Sequence, residues 1–348
     1  EQGLAMAQRS GVPYWGILLR QRLAYANFLS GAWDESLQNG IKAIALSRRV
    51  GHARDLAHSL AGRAMTLAAQ GELSEAAACI SEARIVFGGG SSIDRYVLGL
   101  VEIVETALAL EWGQAERALD IANGLMRSLT LASTPSHLLP AYMPVSLMLL
   151  AAAEAAAGDG ESALETSRKL IGLGPAGTPY LTALASRAEG LGWHALGRME
   201  AAIACLARAH ETFSALEMPF EAARSLLELA ISAATERPEP AVKAVQQSLA
   251  TFEHIGALRY VYRARVLVGE LGISATATRR TRLGKVFVTA RELEIALLVA
   301  QGLRTPEIAG RLVISKRTVT AHLEHVYARL GIRSRADLAR CVIEAGLL

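Results

Sequence analysis

Aliphatic residues return at three- and four-residue intervals over most of the chain, the period of helices that bury one stripe. Five glycines break that pattern at Gly31, Gly71, Gly113, Gly158 and Gly197, with spacings of 40, 42, 45 and 39 residues. The stretch "ERPEP" at 236–240 falls where a sixth break is due. Before each break runs a long apolar helix pattern. After it comes a second helix with small residues at the crossing positions, as in "GELSEAAACI", "GQAERALDIA" and "GRMEAAIACL". Glycine suits a chain reversal between helices, and alanine lets antiparallel helices approach closely. Helix pairs at a fixed period predict a solenoid in which each hairpin buries its face against its neighbours. The period exceeds the roughly 34 residues of a tetratricopeptide repeat, so the helices should be long. "FGGGSS" at 87–92 and "STPSHLLP" at 133–140 read as loops between repeats. No lysine follows the glycines of the first and no strand precedes them, so they mark a helix stop and a new N-cap, not a phosphate cradle.

After Leu271 the pattern gives way to the polar, basic stretch "GISATATRRTRLGK" and then to four short helical patterns. The expected organisation is an all-α chain with a helical repeat domain over 1–272, a linker over 273–286 and a second domain over 287–348. Thr289 and Glu292 have the spacing of a capping box, with Val288 and Leu293 as its hydrophobic staple. Leu293, Ala296, Leu297 and Ala300 form the buried stripe of that helix, which Gly302 ends. Thr305 is placed to cap a second helix, with Pro306 at its first position and Ile308, Ala309 and Leu312 facing inward. The tight link "VI" leads to Ser315, the cap of a third helix that Gly331 stops. Ser334 caps the fourth, paired with Asp337. Two short helices joined this closely form a helix-turn-helix.

On the third helix, "SKRTVTAHLEHVYARL" from 315 to 330, Val319, Leu323, Val326 and Leu330 fall in one narrow sector. Arg317, Thr320, Ala321, Glu324 and Ala328 lie opposite, flanked by Thr318 and His325. That outer face has no charge pairing, and Thr320 and Ala321 keep it slim enough for a B-DNA major groove. Base edges are then read by Arg317, Thr320, Ala321 and Glu324. Thr305, Ser315, Lys316, Thr318, His325, Arg329, Arg333 and Arg335 are the candidates for the phosphate backbone. A carboxylate at Glu324 can accept from a cytosine amino group, or it is a tolerated, water-exposed glutamate.

Charge agrees with this division. Residues 279–348 hold 13 Lys and Arg against 6 Asp and Glu, a net +7, and residues 1–278 hold 23 against 27, a net −4. A weakly acidic body with a basic tail points to a polyanion as the tail's partner. Apolar residues make up 51% of the chain and aromatics 5%, with alanine and leucine dominant, which favours helices over strands. Cys79, Cys205 and Cys341 are far apart, without metal or disulfide spacing, which suits a reducing cytoplasm. His322 and His325 stand at i,i+3, but no third ligand lies near, so packing for His322 and a backbone contact for His325 are the better readings. The uncharged stretch 128–153 is interrupted by Pro135, Pro140 and Pro144, and its apolar part is short of the roughly 20 residues of a membrane span. It reads as a buried helix. No nucleophile with a paired base, metal cluster or phosphate loop is present, so the chain does not read as an enzyme. It opens at Glu1 without methionine and reads as part of something longer.

Residues 288–338, with "TARE", "EIA", "ISKRTV" and "LGIRSR" in order, resemble the LuxR-type helix-turn-helix. The resemblance implies a four-helix DNA-binding domain whose third helix enters the major groove and whose fourth often supplies a dimer contact. It places Thr320, Ala321 and Glu324 at bases and Ser315, Thr318, Arg329 and Arg333 at the backbone. The chain departs from the family where Thr320 stands for a frequent lysine and Glu324 for a polar or basic residue. Gly310 inside the second helix costs about 1 kcal/mol against alanine. A helical-repeat region ahead of such a domain is similar to the large ATP-binding LuxR-type regulators, the maltose regulator among them. No G-x-x-x-x-G-K-[ST] occurs, so no cofactor is expected in this stretch, with ATP left to a module upstream. The partners implied are double-stranded DNA, RNA polymerase, a second copy of the chain on DNA, and a small-molecule or protein effector on the repeats, with no membrane. The competing reading is an interaction scaffold or small-molecule sensor in which DNA binding is secondary or masked.

Overall fold

A computed structural model describes residues 13–87, 95–130, 139–175, 177–271, 280–283, 286–312, 315–345 and 347. The body is a run of antiparallel helix pairs. Helix α1 (Pro13–Leu29) pairs with α2 (Trp33–Val50), α3 (Ala53–Gln70) with α4 (Leu73–Phe87), and α5 (Arg95–Glu111) with α6 (Ala115–Thr130). The series continues with α7 (Leu139–Ala156) and α8 (Gly160–Ile171), α9 (Pro179–Ala195) and α10 (Met199–Ala215), α11 (Pro219–Ala233) and α12 (Pro238–Ile255), and ends on α13 (Leu258–Glu270). Most of these helices run 15 to 18 residues, the length that the long period requires. All five hinge glycines have positive φ, and "ERPEP" covers the end of the α11–α12 connection and the first turn of α12. The loop positions 88–92 and 133–138 lie outside the described residues. The uncharged stretch forms α7, and among the described residues no helix is long and apolar enough to cross a membrane.

The solenoid closes on itself. Trp33 of the first hairpin packs edge-on against Phe220 of α11 at 4.9 Å between ring centroids, and Phe220 meets Tyr260 of α13 at 5.2 Å. Phe28 stacks on Trp33, and Phe252 lies 5.1 Å from Tyr260. These rings share one core with Ala69 and Leu267. Such clusters of large apolar surfaces dominate local packing energy. Beside them, Arg259 and the Tyr260 hydroxyl both bond to Glu111 at the end of α5. Two hinges lie at the seam. A Cβ on Gly31 would stand 3.0 Å from Ile255 and Pro219, and one on Gly71 would stand 3.1 Å from Arg259. Glycine is needed at both for the left-handed backbone and for the approach of the far end of the body.

A buried ion cluster crosses the interior. The Arg187 guanidinium donates twice to Glu228, at 2.8 and 2.6 Å, and once to Glu221 at 2.7 Å. The Arg224 guanidinium lies over the Phe220 and Tyr260 rings. Glu228 is held below the usual carboxylate range by Arg187 and Arg224, against the upward push of its burial.

The tail begins earlier than its helical pattern suggests. Strand β1 (Arg280–Leu283) pairs antiparallel with β2 (Val286–Thr289), Thr281 opposite Val288 and Leu283 opposite Val286. The end of the segment read as linker is therefore ordered, and the otherwise all-α fold carries one hairpin. The reason is visible in "TRLGKVFV": two residues separate the strands, and a two-residue connection with glycine first favours a hairpin. A lone hairpin needs a packing partner. This one lies against α14 (Ala290–Ala300), and β2 also touches α16 (Lys316–Leu330). The remaining helices are α15 (Thr305–Arg311) and α17 (Arg335–Glu344). Helix α14 is the centre of the tail, with Leu293, Ile295, Ala296, Leu297, Leu298 and Val299 all buried.

Candidate nucleic-acid interface

Helix α16 shows two faces. Val319, Leu323 and Val326 are buried against α14 and its neighbours, with Leu330 partly so. Lys316, Arg317, Thr318, Thr320, Ala321, Glu324, His325 and Ala328 are exposed. The sector predicted to dock does dock, and the sector predicted to stay bare is bare. Fifteen residues at ~1.5 Å each make a rod of about 22 Å, ample for groove contact by its first two turns.

Local chemistry fixes where the rod begins and ends. Ser315 Oγ accepts from the Thr318 amide at 3.0 Å and bonds the Thr318 hydroxyl at 2.8 Å. Both residues placed at the backbone thus also build the cap, a role worth about 1 kcal/mol. Gly331 closes the helix at φ 66°. The Thr320 hydroxyl donates to the Lys316 carbonyl at 3.1 Å, which turns its hydrogen into the helix and leaves its oxygen to accept. The link residues 313–314 lie outside the described residues. At α15 the prediction was one residue late. Thr305 is the first helical residue, half-buried, and the Glu307 carboxylate accepts from the Arg304 amide at 2.6 Å. Ser334 does cap α17, accepting from the Asp337 amide at 3.0 Å.

The basic candidates divide into two groups. Lys316, Arg317 and Arg333 are exposed, with no ion-pair partner among the described residues. Arg329 instead donates to Glu292 at 2.7 Å, and Glu292 is only 3% exposed. Arg335 is half-buried and donates to the Leu303 carbonyl just past α14. Both are committed to holding α14, because a buried carboxylate and a buried carbonyl need donors. The sequence reading also passed over Arg304 and Arg311, exposed at either end of α15. Their position flanking the shorter helix of the pair was the available signal. Glu324 is exposed without an ion-pair partner among the described residues. His322 is half-buried, and burial first, then Arg291 and His325, lowers its pKa against the pull of Glu292. His325 is exposed on the outer face.

The tail touches the body away from this face. Leu258 and Tyr262 of α13 pack on the tail core, and the Tyr262 hydroxyl accepts from Gln301 Nε2 at 2.9 Å. The outer face of α16 stays exposed with the two parts in contact.

A short helix and a longer one across a tight link, the longer buried on one side and bare on the other, define a helix-turn-helix domain. Residues 287–342 match the family described as bacterial regulatory proteins, luxR family. The chain is similar to the HTH-type transcriptional regulator Rv0890c of Mycobacterium tuberculosis, 45% identical over 60 residues, which are 17% of this chain and 7% of that protein. The same figures hold for the HTH-type transcriptional regulator Mb0914c of Mycobacterium bovis. It is also similar to the oxygen regulatory protein NreC of Staphylococcus aureus, 39% identical over 61 residues, 18% of this chain and 28% of that one. The match therefore spans well under a third of each of these relatives. The tail of this chain is a LuxR-family helix-turn-helix domain.

Proposed function

We propose that the protein is a bacterial transcriptional regulator that binds a specific duplex DNA site through α16. Arg317, Thr320, Ala321 and Glu324 read bases, and Lys316, Arg317 and Arg333 supply charge to the phosphates. The observation that carries this reading is the bare outer face of α16, which keeps its cations and its small side chains in water while the opposite face is fully packed. Single modules bury little surface on DNA, so the chain acts as a homodimer on two half-sites. Ile343 of α17 is 56% exposed and offers an apolar side chain for such a contact. The repeat body takes the effector or protein partner, RNA polymerase is the target at the promoter, the chain works in the cytoplasm as a regulator and not as an enzyme, and any ATP is bound upstream.

Selection of genomic fragments by the full chain, followed by fluorescence anisotropy with the enriched fragment, tests this. Enrichment of one sequence that Arg317→Ala abolishes at unchanged Tm supports it. Equal capture of unrelated fragments by the wild type and by Arg317→Ala overturns it.

A further inference from the structure

Closing the solenoid leaves a lumen along its concave face that stays partly open to solvent, with Tyr25 42% exposed at its wall. Helices α1, α2, α3, α5, α7, α9 and α11 wall a cavity of about 300 Å³, the lower end of the range for small-ligand sites. Most of the wall is apolar, with Phe28, Met65, Leu100, Ile103, Met148 and Leu184 among its residues.

Gly62 is an independent sign that the space is kept open. It stands mid-way along α3, where glycine costs about 1 kcal/mol against alanine. A Cβ built there meets nothing within 4 Å. Packing against a neighbour therefore does not require glycine, in contrast to Gly31 and Gly71. What a side chain at 62 would occupy is the lumen itself.

The polar part of the wall is cationic. Arg22, Arg63, Arg187 and Arg224 line it, with Glu221 as the only carboxylate among the described lining residues. Arg187 is saturated by Glu221 and Glu228, and Arg63 reaches out to Glu75 at 3.1 Å. The Nε atoms of Arg63 and Arg224 are buried without a hydrogen-bond partner. Arg22, exposed to solvent at the edge of the cavity, has no ion-pair partner among the described residues. Burial first, then the charges of Arg22 and Arg54, push the His58 pKa down to about 4. The imidazole is neutral, so it adds a polar contact and no charge. An apolar chamber with one guanidinium more than its carboxylates, counting the outer partners, is complementary to one negative charge on an apolar body.

We propose that the lumen of the repeat body binds an amphipathic organic monoanion, a carboxylic acid with an aliphatic or aromatic body, whose acid group sits at the Arg22 and His58 edge. This rests on the body being the effector-binding half of the protein and is independent of how α16 reads DNA. The apolar body displaces poorly held water from the Met65, Leu100 and Met148 wall, and the carboxylate accepts from Arg22.

Isothermal titration of the full chain with octanoate and with naphthoate, each against its neutral counterpart octanol or naphthol, tests the proposal. Both acids bind, and each neutral counterpart binds about tenfold more weakly, the difference made by a charge-assisted hydrogen bond. Gly62→Phe abolishes binding of all four while Tm holds or rises. Should that variant misfold, Gly62→Leu serves with a smaller loss. Arg22→Gln lowers acid affinity about tenfold and leaves the alcohols unchanged. Acids that fail to bind the wild type, equal affinity for acid and alcohol, or undiminished binding in a folded Gly62 variant each overturn the proposal. DNA anisotropy on the same samples reports separately on α16, so loss of one reading is distinguishable from loss of the other.

Discussion

The sharpest consequence of the interface geometry is the salt dependence of DNA binding, because it counts cations. Lys316, Arg317 and Arg333 stand free beside the outer face, whereas Arg329 is bonded to Glu292 and Arg335 to the Leu303 carbonyl. Each neutralised phosphate of duplex DNA contributes about −0.9 to the slope of log K against log salt, so three per domain and two domains give about −5.4. Raising salt from about 50 to about 200 mM then weakens binding by on the order of 10³. Had Arg329 and Arg335 reached phosphates as well, the slope would be about −9 and the loss on the order of 10⁵.

Anisotropy titrations of the enriched fragment at four or five salt concentrations separate these values. Arg317→Ala removes one contact per domain and makes the slope shallower by about 1.8, at unchanged Tm. Arg329→Met leaves the slope unchanged. A shallower slope in Arg329→Met refutes the structural assignment of Arg329. A slope unmoved by Arg317→Ala refutes the placement of α16 on DNA.

Three further outcomes follow from single contacts. Arg329→Met removes the ion pair to the buried Glu292 carboxylate and costs the tail about 2 to 3 kcal/mol in a thermal melt, on the low side for a broken buried pair because Arg329 is partly in water. Gly310→Ala, at an exposed helical site where a Cβ meets nothing within 4 Å, stabilises the tail by up to about 1 kcal/mol without changing DNA affinity. His58 is neutral in the folded body down to about pH 4, whereas the unfolded chain takes up its proton near 6.5. Between those values the unfolded state binds more protons, so stability falls as pH falls, by about 1.4 kcal/mol per unit at most. His58→Gln flattens that part of the stability profile, as read by denaturant melts at pH 4.5, 5.5 and 6.5 (approximate set points spanning the window).

What was legible in the sequence was what local periodicity encodes. The glycine hinges, the hairpin series and the two-faced α16 each depend on residues a few positions apart. The closure of the body does not: Trp33 meets Phe220, and Glu111 meets Arg259 and Tyr260, across separations no window spans. The turn before α11 was also hidden, because Glu217 takes a φ of 56° where the comparable turns at Gly51 and Gly256 use glycine. In the tail, Arg329 and Arg335 looked like surface cations. Their true partners depend on how α14, α16 and α17 come together. The β1–β2 hairpin was missed for another reason. Its strands are only four residues each and β1 is half arginine, so the alternation of Thr281, Leu283, Val286 and Val288 is too short to stand out against the charge.

Closure of the body and docking of the tail meet on a single helix. On α13, Tyr260 faces inward against Phe220 and beneath Arg224, which lines the lumen. Leu258 and Tyr262, one helical turn apart on the other side, face the tail. The contact they make is small: one neutral hydrogen bond, worth about 1 kcal/mol, and the partial burial of two side chains. A contact that weak is easily rebalanced, since a ligand shifts two arrangements only by the difference in its affinity for them. About 1.4 kcal/mol of such preference is already a tenfold change in their ratio. If the proposed occupant of the lumen displaces Arg224, the change meets Tyr260, whose ring Arg224 covers, two residues along α13 from Tyr262. The outer face of α16 is exposed with the tail docked, so whatever this route controls is the orientation of the domain relative to the body, and with it the spacing of the two domains of the proposed homodimer, not access to the helix itself.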